Sequence, residues 1–203
     1  MSLHVKVDGS WQEIQAAGGG GGGGVGWAAL EGGTVTSYTD GDGVTWNVHT
    51  YTASGNVTVT RAGLVRCLLV GGGSGAQMFF ADGGQVQEGL ALATEGTHPV
   101  VVGAGGNDPT GVRGESSSAL GMWTGSGFGV VTQGPTSGRG AGYRNPMPLS
   151  ELWTGRVSTI TGTAEDYGRG GRQTIAPRPN RGDGNVGAGA TGSAGIVILS
   201  VPA

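Results

Sequence analysis

The side chains able to do chemistry are few and scattered. His4, His49 and His98 fall in three separate strand-like stretches, without the His/Cys/Asp spacing that a metal centre needs. Each reads as a solvated or edge histidine, and no metal is expected. The single cysteine, Cys67, sits inside the apolar run Leu64-Val-Arg-Cys-Leu-Leu-Val70. It reads as a buried, inert thiol, and one cysteine cannot close an internal disulfide. Gly187-Ala-Gly-Ala-Thr-Gly192 spells G-x-G-x-x-G, but a dinucleotide site follows a strand and opens a helix whose N-terminus holds the pyrophosphate. Here the motif precedes a strand instead. A Walker loop needs Gly-Lys-Ser/Thr, and Lys6 is the sole lysine. Gly72-Gly-Ser-Gly75 and Gly125-Ser-Gly127 have no elbow helix behind them to expose a nucleophilic serine. No cofactor is expected.

Carboxylates are the remaining route to catalysis. Asp40/Asp42 and Glu165-Asp166 lie in turn-like surroundings, where turn formation is the simpler account. Asp40-Gly-Asp-Gly43 lacks the downstream glutamate of an EF-hand loop. A glycan-cleaving pair would need two carboxyl groups roughly 5–10 Å apart across a groove, and Glu88, Glu95, Glu151, Glu165 and Asp166 are the only realistic donors. The chain therefore reads as a non-enzyme. Arg181-Gly-Asp183 and Asn56-Val-Thr58 match an adhesion tripeptide and a glycosylation sequon, both short enough to arise by chance. Aromatic and methionine side chains carry more: Met78, Phe79, Phe80, Met122, Trp123, Phe128 and Tyr143 fall in Gly-rich connections. Loops lie on surfaces and carry recognition, so these are receptor or interface candidates; the simpler alternative is that they cap the ends of the core.

The elements that would position such loops are punctuated by glycine, 47 of 203 residues against an ordinary usage of about 7%. One run covers Gly18 to Gly24, and clusters at 71–73, 103–106 and 168–171 adjoin apolar stretches. Each glycine in an element interior costs roughly 0.5–1 kcal/mol relative to alanine, so neighbouring segments or partner chains must hold the fold together. No Gly-X-Y period runs through the chain, which excludes collagen. A net charge of -3 with 36% apolar residues argues against disorder and offers no electrostatic reason to bind nucleic acid. The N-terminus lacks the apolar core of a secretory signal, and no run of 18 apolar residues exists to insert into a membrane.

Leu3, Val5 and Val7 alternate with polar residues up to the Asp8-Gly9-Ser10 turn, and Trp11 to Ile14 return, a hairpin pattern. Two strands alone are marginal in water, so this hairpin, with Val5, Val7, Trp11 and Ile14, is expected to attach to another protein or subunit. Residues 17–33 read as a Gly-rich connector with Trp27 and Leu30 as anchor points. Thr34 to Val48 form a second hairpin around Asp40-Gly-Asp-Gly43, with Val44, Trp46 and Val48 on one face. Leu64–Val70 is a continuous apolar run suited to a strand buried on both faces, and Ile196–Val201 is expected to pair with it in mid-sheet. Gly interrupts every helical window. The expectation is an all-β, glycine-rich antiparallel β-sandwich over 34–203, behind an N-terminal attachment hairpin over 1–16.

The order of Tyr51-Thr-Ala-Ser-Gly-Asn-Val-Thr-Val59, Gly63-Leu-Val-Arg-Cys-Leu-Leu-Val-Gly-Gly-Gly73, Gln85-Val-Gln-Glu-Gly89, Gly96-Thr-His-Pro-Val-Val-Val-Gly-Ala-Gly-Gly106, Gly114-Glu-Ser-Ser-Ser-Ala-Leu-Gly121 and Gly195-Ile-Val-Ile-Leu199 resembles the glycine-rich domain of bacteriophage minor tail and tail-fibre proteins of the actinobacteriophage type. The likeness covers about three quarters of the chain. His4 to Ile14 also looks like the start segment of such proteins. The resemblance implies a virion protein at the tail tip or fibres, bound to other tail proteins and assembled as a homo-oligomer, with a trimer expected. It further implies contact with a host cell-envelope glycan, and it supplies no catalytic residues. A pure spacer of the virion and a polysaccharide-degrading tail enzyme are the alternatives. From 134 to 181 the chain departs from the family pattern, with Pro146-Met-Pro148, Glu151-Leu-Trp153 and several arginines.

Overall fold

A computed structural model describes residues 3–7, 10–14, 25–76, 81–107, 113–127, 155–171, 176–186 and 190–203. Among these there is no helix. The strands are β1 Leu3–Val7, β2 Ser10–Ile14, β3 Ala29–Glu31, β4 Thr34–Thr39, β5 Thr45–Tyr51, β6 Gly55–Arg61, β7 Gly63–Val70, β8 Gly75–Ala76, β9 Val86–Ala93, β10 Gly96–Val101, β11 Ser117–Ala119, β12 Met122–Thr124, β13 Arg156–Ser158, β14 Glu165–Tyr167, β15 Asn185–Val186 and β16 Ile196–Pro202.

The alternation of β1 and β2 closes the predicted antiparallel hairpin, with Leu3 opposite Ile14 and Val7 opposite Ser10. Two five-stranded antiparallel sheets form the body, in the orders β4-β5-β16-β7-β9 and β12-β11-β10-β6-β3. The long apolar run supplies β7, and β16 lies beside it from Ile196 opposite Val70 to Ser200 opposite Arg66, as the sequence led us to expect. The inward-facing residues of the two sheets meet in one core: Val57, Val59 and Val100 from one, Val65, Cys67, Leu69, Val197 and Leu199 from the other. The fold is thus a β-sandwich.

The continuous apolar character of β7 has a second cause. Its other face is covered by the short β13–β14 hairpin, whose Ile160 and Tyr167 pack on Val48, Leu68, Val70, Ile196 and Ile198. β7 and β16 are buried on both faces along nearly their whole length, so little polar alternation survives in them. Trp27 also belongs to the body. It pairs with Leu64 across the corner between the sheets and packs edge-on against Trp46, ring centroids 5.2 Å apart. Leu30, the other expected anchor, enters the core from β3, an edge strand that lies within the stretch read as connector.

At one end both sheets run on into glycine. Segment 71–76 leaves β7, 102–107 leaves β10 and 125–127 leaves β12, while 81–85, 113–116 and 190–195 return to β9, β11 and β16. The hydrogen bonds of 71–74 show how these segments pack. Gly71, Gly72, Gly73 and Ser74 donate their N–H in turn to the carbonyls of Gln85, Glu115, Ser193 and Asp82, at 3.0, 2.8, 3.0 and 2.9 Å. The carbonyls of Gly72, Gly73 and Ser74 accept from Gly127, Gly106 and Asn185, at 2.9, 2.8 and 3.0 Å. One segment is therefore bonded to six neighbours rather than the two a sheet permits.

Donation returns to the same neighbour after three residues: Gly71 and Ser74 both face 81–85, and Gly192 and Gly195 both face 103–106. Three residues per turn with no internal hydrogen bonds is the signature of a polyproline-II-type helix. Glycine is required because the backbones touch. A Cβ on Gly72 would lie 2.6 Å from the Ala104 carbonyl carbon, and one on Gly105 would lie 2.5 Å from that of Gly192. The sequence left open whether neighbouring segments or partner chains hold the glycine clusters. The partners of these glycines are other segments of the same chain.

Candidate functional site

The glycine lattice fixes where connecting segments can emerge. The described chain runs out to residues 76, 107, 171 and 186 at the end remote from the sheets, where Ala81 pairs with Gly171 and Asn107 with Thr191. The connecting stretches carry five of the six recognition candidates: Met78, Phe79 and Phe80 follow residue 76, and Phe128 and Tyr143 follow Gly127. These five side chains lie outside the described residues, as do the side chains of Val5, Val7, Trp11 and Ile14.

Trp123 is the candidate that is described. It was expected in a Gly-rich connection and instead stands on β12, paired to Ser118 of β11. Three residues are too few for alternation to announce a strand. Met122 turns in against the core, so Trp123 turns out, and it is 68% exposed. It does not cap the core.

Beneath the lattice lies a charged cluster that sequence reasoning divided among unrelated motifs. Glu165 and Asp166 are not in a turn; they sit on β14. Asp166 is paired with Arg169 and, at 2.7 Å, with Arg178. Arg178 also reaches Asp183 at 2.8 Å, and Arg181 reaches Glu165 at 2.6 Å while its guanidinium lies 4.6 Å from the Tyr167 ring centre. Burial pushes the Asp166 carboxyl up, but Arg169 and Arg178 outweigh it and hold it below the usual carboxylate range. The hydrogen bond from Arg181 does the same to Glu165. A general acid needs a raised pKa, so neither carboxyl is poised to donate a proton.

The same geometry disposes of the Arg-Gly-Asp tripeptide. Asp183 is only 3% exposed. Its backbone N–H donates to Ser193 Oγ, and its carboxylate accepts from Arg169 N and from Arg178. An adhesion motif folded inward cannot be presented. Asp40 is a turn residue, as expected: it accepts from the N–H of Asp42 and Val44 and from Trp46 Nε1 at 2.8 Å. The Trp46 bond leads in holding its pKa low. His49 departs from expectation, being buried, with Nδ1 donating to the Gly32 carbonyl at 2.8 Å. His98 donates from Nε2 to Thr94. Among the described residues no three His, Cys, Asp or Glu side chains group as a metal site would require.

On the outer face of the first sheet, Trp27, Trp46, Arg66, Glu88, Gly89 and Leu90 line an open depression of about 370 Å³. Arg66 lies 4.8 Å from the Trp46 ring centre. Both indoles are almost fully buried, so they build the wall rather than offer a stacking surface. The chain matches no family model, and no match was found among curated proteins or solved structures.

Proposed function

We propose that this chain is a structural and adhesive tail protein of a bacteriophage, placed at the tail tip or fibres and contributing to host-surface recognition. The observation that carries the reading is where the resembling motifs fall. Gly63 to Gly73 is β7 running into the lattice, Gly96 to Gly106 is β10 doing the same, and Gly114 to Gly121 and Gly195 to Leu199 are the returning halves. Apart from Tyr51–Val59, which joins β5 to β6, the likeness to glycine-rich tail proteins lies in the junction between sheet and lattice. That is scaffold, and it leaves recognition to the segments between.

In this reading the N-terminal hairpin docks to another tail protein. The sandwich and lattice then hold the connecting segments toward the host envelope. Assembly as a homotrimer belongs to the same proposal and rests on the resemblance alone, since the glycine clusters find their partners within the chain.

Two measurements test it. Antibody labelling of particles should mark the tail, and purified protein should compete with particles for adsorption to host cells. Tail labelling without competition would favour a spacer, and no labelling of the particle would overturn the proposal. Release of reducing sugar from host envelope by the purified protein would replace it with the enzyme alternative.

A further inference from the structure

The outer face of the second sheet holds an arrangement that the fold does not use. Ser118 pairs with both Trp123 and Val101, so the three stand in one row across β12, β11 and β10. Pro99 lies opposite Asn56, and Thr58 follows on β6. Their sequence neighbours Val100, Ala119, Val57 and Val59 fill the core, so these side chains face outward. Trp123 is 68% and Val101 42% exposed. Trp123, Ser118 and Val101 span two strand spacings, about 10 Å, and Asn56 and Thr58 stand on the next strand, offset along it by two and four residues.

The chemistry of this face is uncharged. β10, β11 and β12 carry no Lys, Arg, Asp or Glu, and β6 has none before Arg61. Glu31 lies across from Thr58 on the far edge strand. An indole presents an electron-rich face that accepts the C–H face of a pyranose ring, and hydroxyl and amide side chains at fixed strand spacing suit its equatorial hydroxyls. Nucleic acid requires cations for its phosphates, which this face lacks. Because the residues stand on paired strands, the platform is organised before any ligand arrives.

We infer that this face binds a neutral glycan, with Trp123 stacking on one sugar ring and Ser118, Asn56 and Thr58 bonding to its neighbours. The inference deepens the adhesive reading above and rests on it for the source of the glycan. It names a contact separate from the connecting segments at the lattice end.

The test is affinity electrophoresis of the full chain in gels holding soluble glucan, mannan or galactan, with polygalacturonate as the charged control. At least one neutral polysaccharide should retard the protein. Trp123→Ala should weaken that retardation about tenfold or more, as expected for truncating a central aromatic anchor, and Trp123→Tyr should restore part of it. Ser118→Arg, which sets bulk and charge beside the indole, should also abolish it. Unchanged circular dichroism would show that the variants are folded. Retardation that survives both Trp123→Ala and Ser118→Arg would overturn the inference, as would retardation by polygalacturonate alone or by no polysaccharide. A dimer dissolved by Trp123→Ala would reassign the face to self-association. The outcome is independent of tail labelling, so failure here and failure of the tail assignment are told apart.

Discussion

Alanine at Gly72 should be among the most damaging single-methyl additions in this chain. The new Cβ would sit 2.6 Å from the Ala104 carbonyl carbon and nearer still to its oxygen. Carbon atoms at rest need about 3.5 Å or more, so segments 71–74 and 103–106 must part by about 1 Å. Across that gap Gly106 donates to the Gly73 carbonyl at 2.8 Å, and the added separation takes this bond past hydrogen-bonding range. A buried pair left unmade costs about 1–3 kcal/mol, and overpacking of a close-packed interior adds about 1–3 kcal/mol. Alanine restores only about 0.4–1 kcal/mol by restricting the unfolded chain. The net loss is about 1–6 kcal/mol, a sizeable part of the roughly 5–15 kcal/mol that a typical domain holds. Gly55→Ala is the matched control, because a Cβ there meets nothing within 4 Å. Urea denaturation followed by tryptophan fluorescence should move the midpoint of Gly72→Ala well below wild type and leave Gly55→Ala within about 0.5 kcal/mol of it. Equal midpoints for the two variants would refute the lattice argument.

Two further outcomes follow from the half-buried ion pairs and the buried thiol. Glu165 and Asp166 have folded-state pKa values below their unfolded ones, so their stabilisation is present above the ordinary carboxylate range and fades as pH falls through the lowered values. Thermal midpoints should drop below about pH 4, and Arg178→Ala should flatten that dependence while costing about 2–4 kcal/mol at pH 7 by leaving Asp183 short of its partner. Arg178→Lys should not restore it, since an ammonium cannot span Asp166 and Asp183 as the guanidinium fork does; full rescue by lysine would contradict the geometry. Cys67 is fully buried and its thiol is pushed up by burial to about 12. It should resist a thiol reagent at pH 8 in native protein and react at once in denaturant, and rapid native labelling would show that the sandwich opens.

The strands were legible wherever side chains leave a pattern. The Leu64–Val70 run, the Ile196–Val201 strand and the Asp40–Val44 turn all stood out because burial and turn chemistry select residue types. The glycine clusters were legible as places of close approach, but their three-residue rhythm was not. That rhythm lives in the direction of successive N–H groups, and a segment whose side chains are hydrogen atoms leaves no hydrophobic period to read. The Arg178 cluster was hidden for a different reason. Asp166, Arg178 and Asp183 become partners only once β14 and the 176–184 segment are brought together, and no local spacing encodes that. Trp123 was recognised as a surface residue but not as part of a sheet, because its row depends on β10 and β11 lying beside it.

The lattice also has a mechanical meaning. Tension entering at residue 76 does not travel along one pair of strands, because the N–H and carbonyl groups of 71–74 point to six different segments. The load divides among them within four residues and passes into β7, β9, β10, β11, β12 and β16 together. Bonds arranged around a segment cannot be peeled one after another, as the edge of a flat sheet can. A glycine-rich stretch, usually regarded as slack in a chain, here binds its neighbours together as a many-stranded splice joins two ropes.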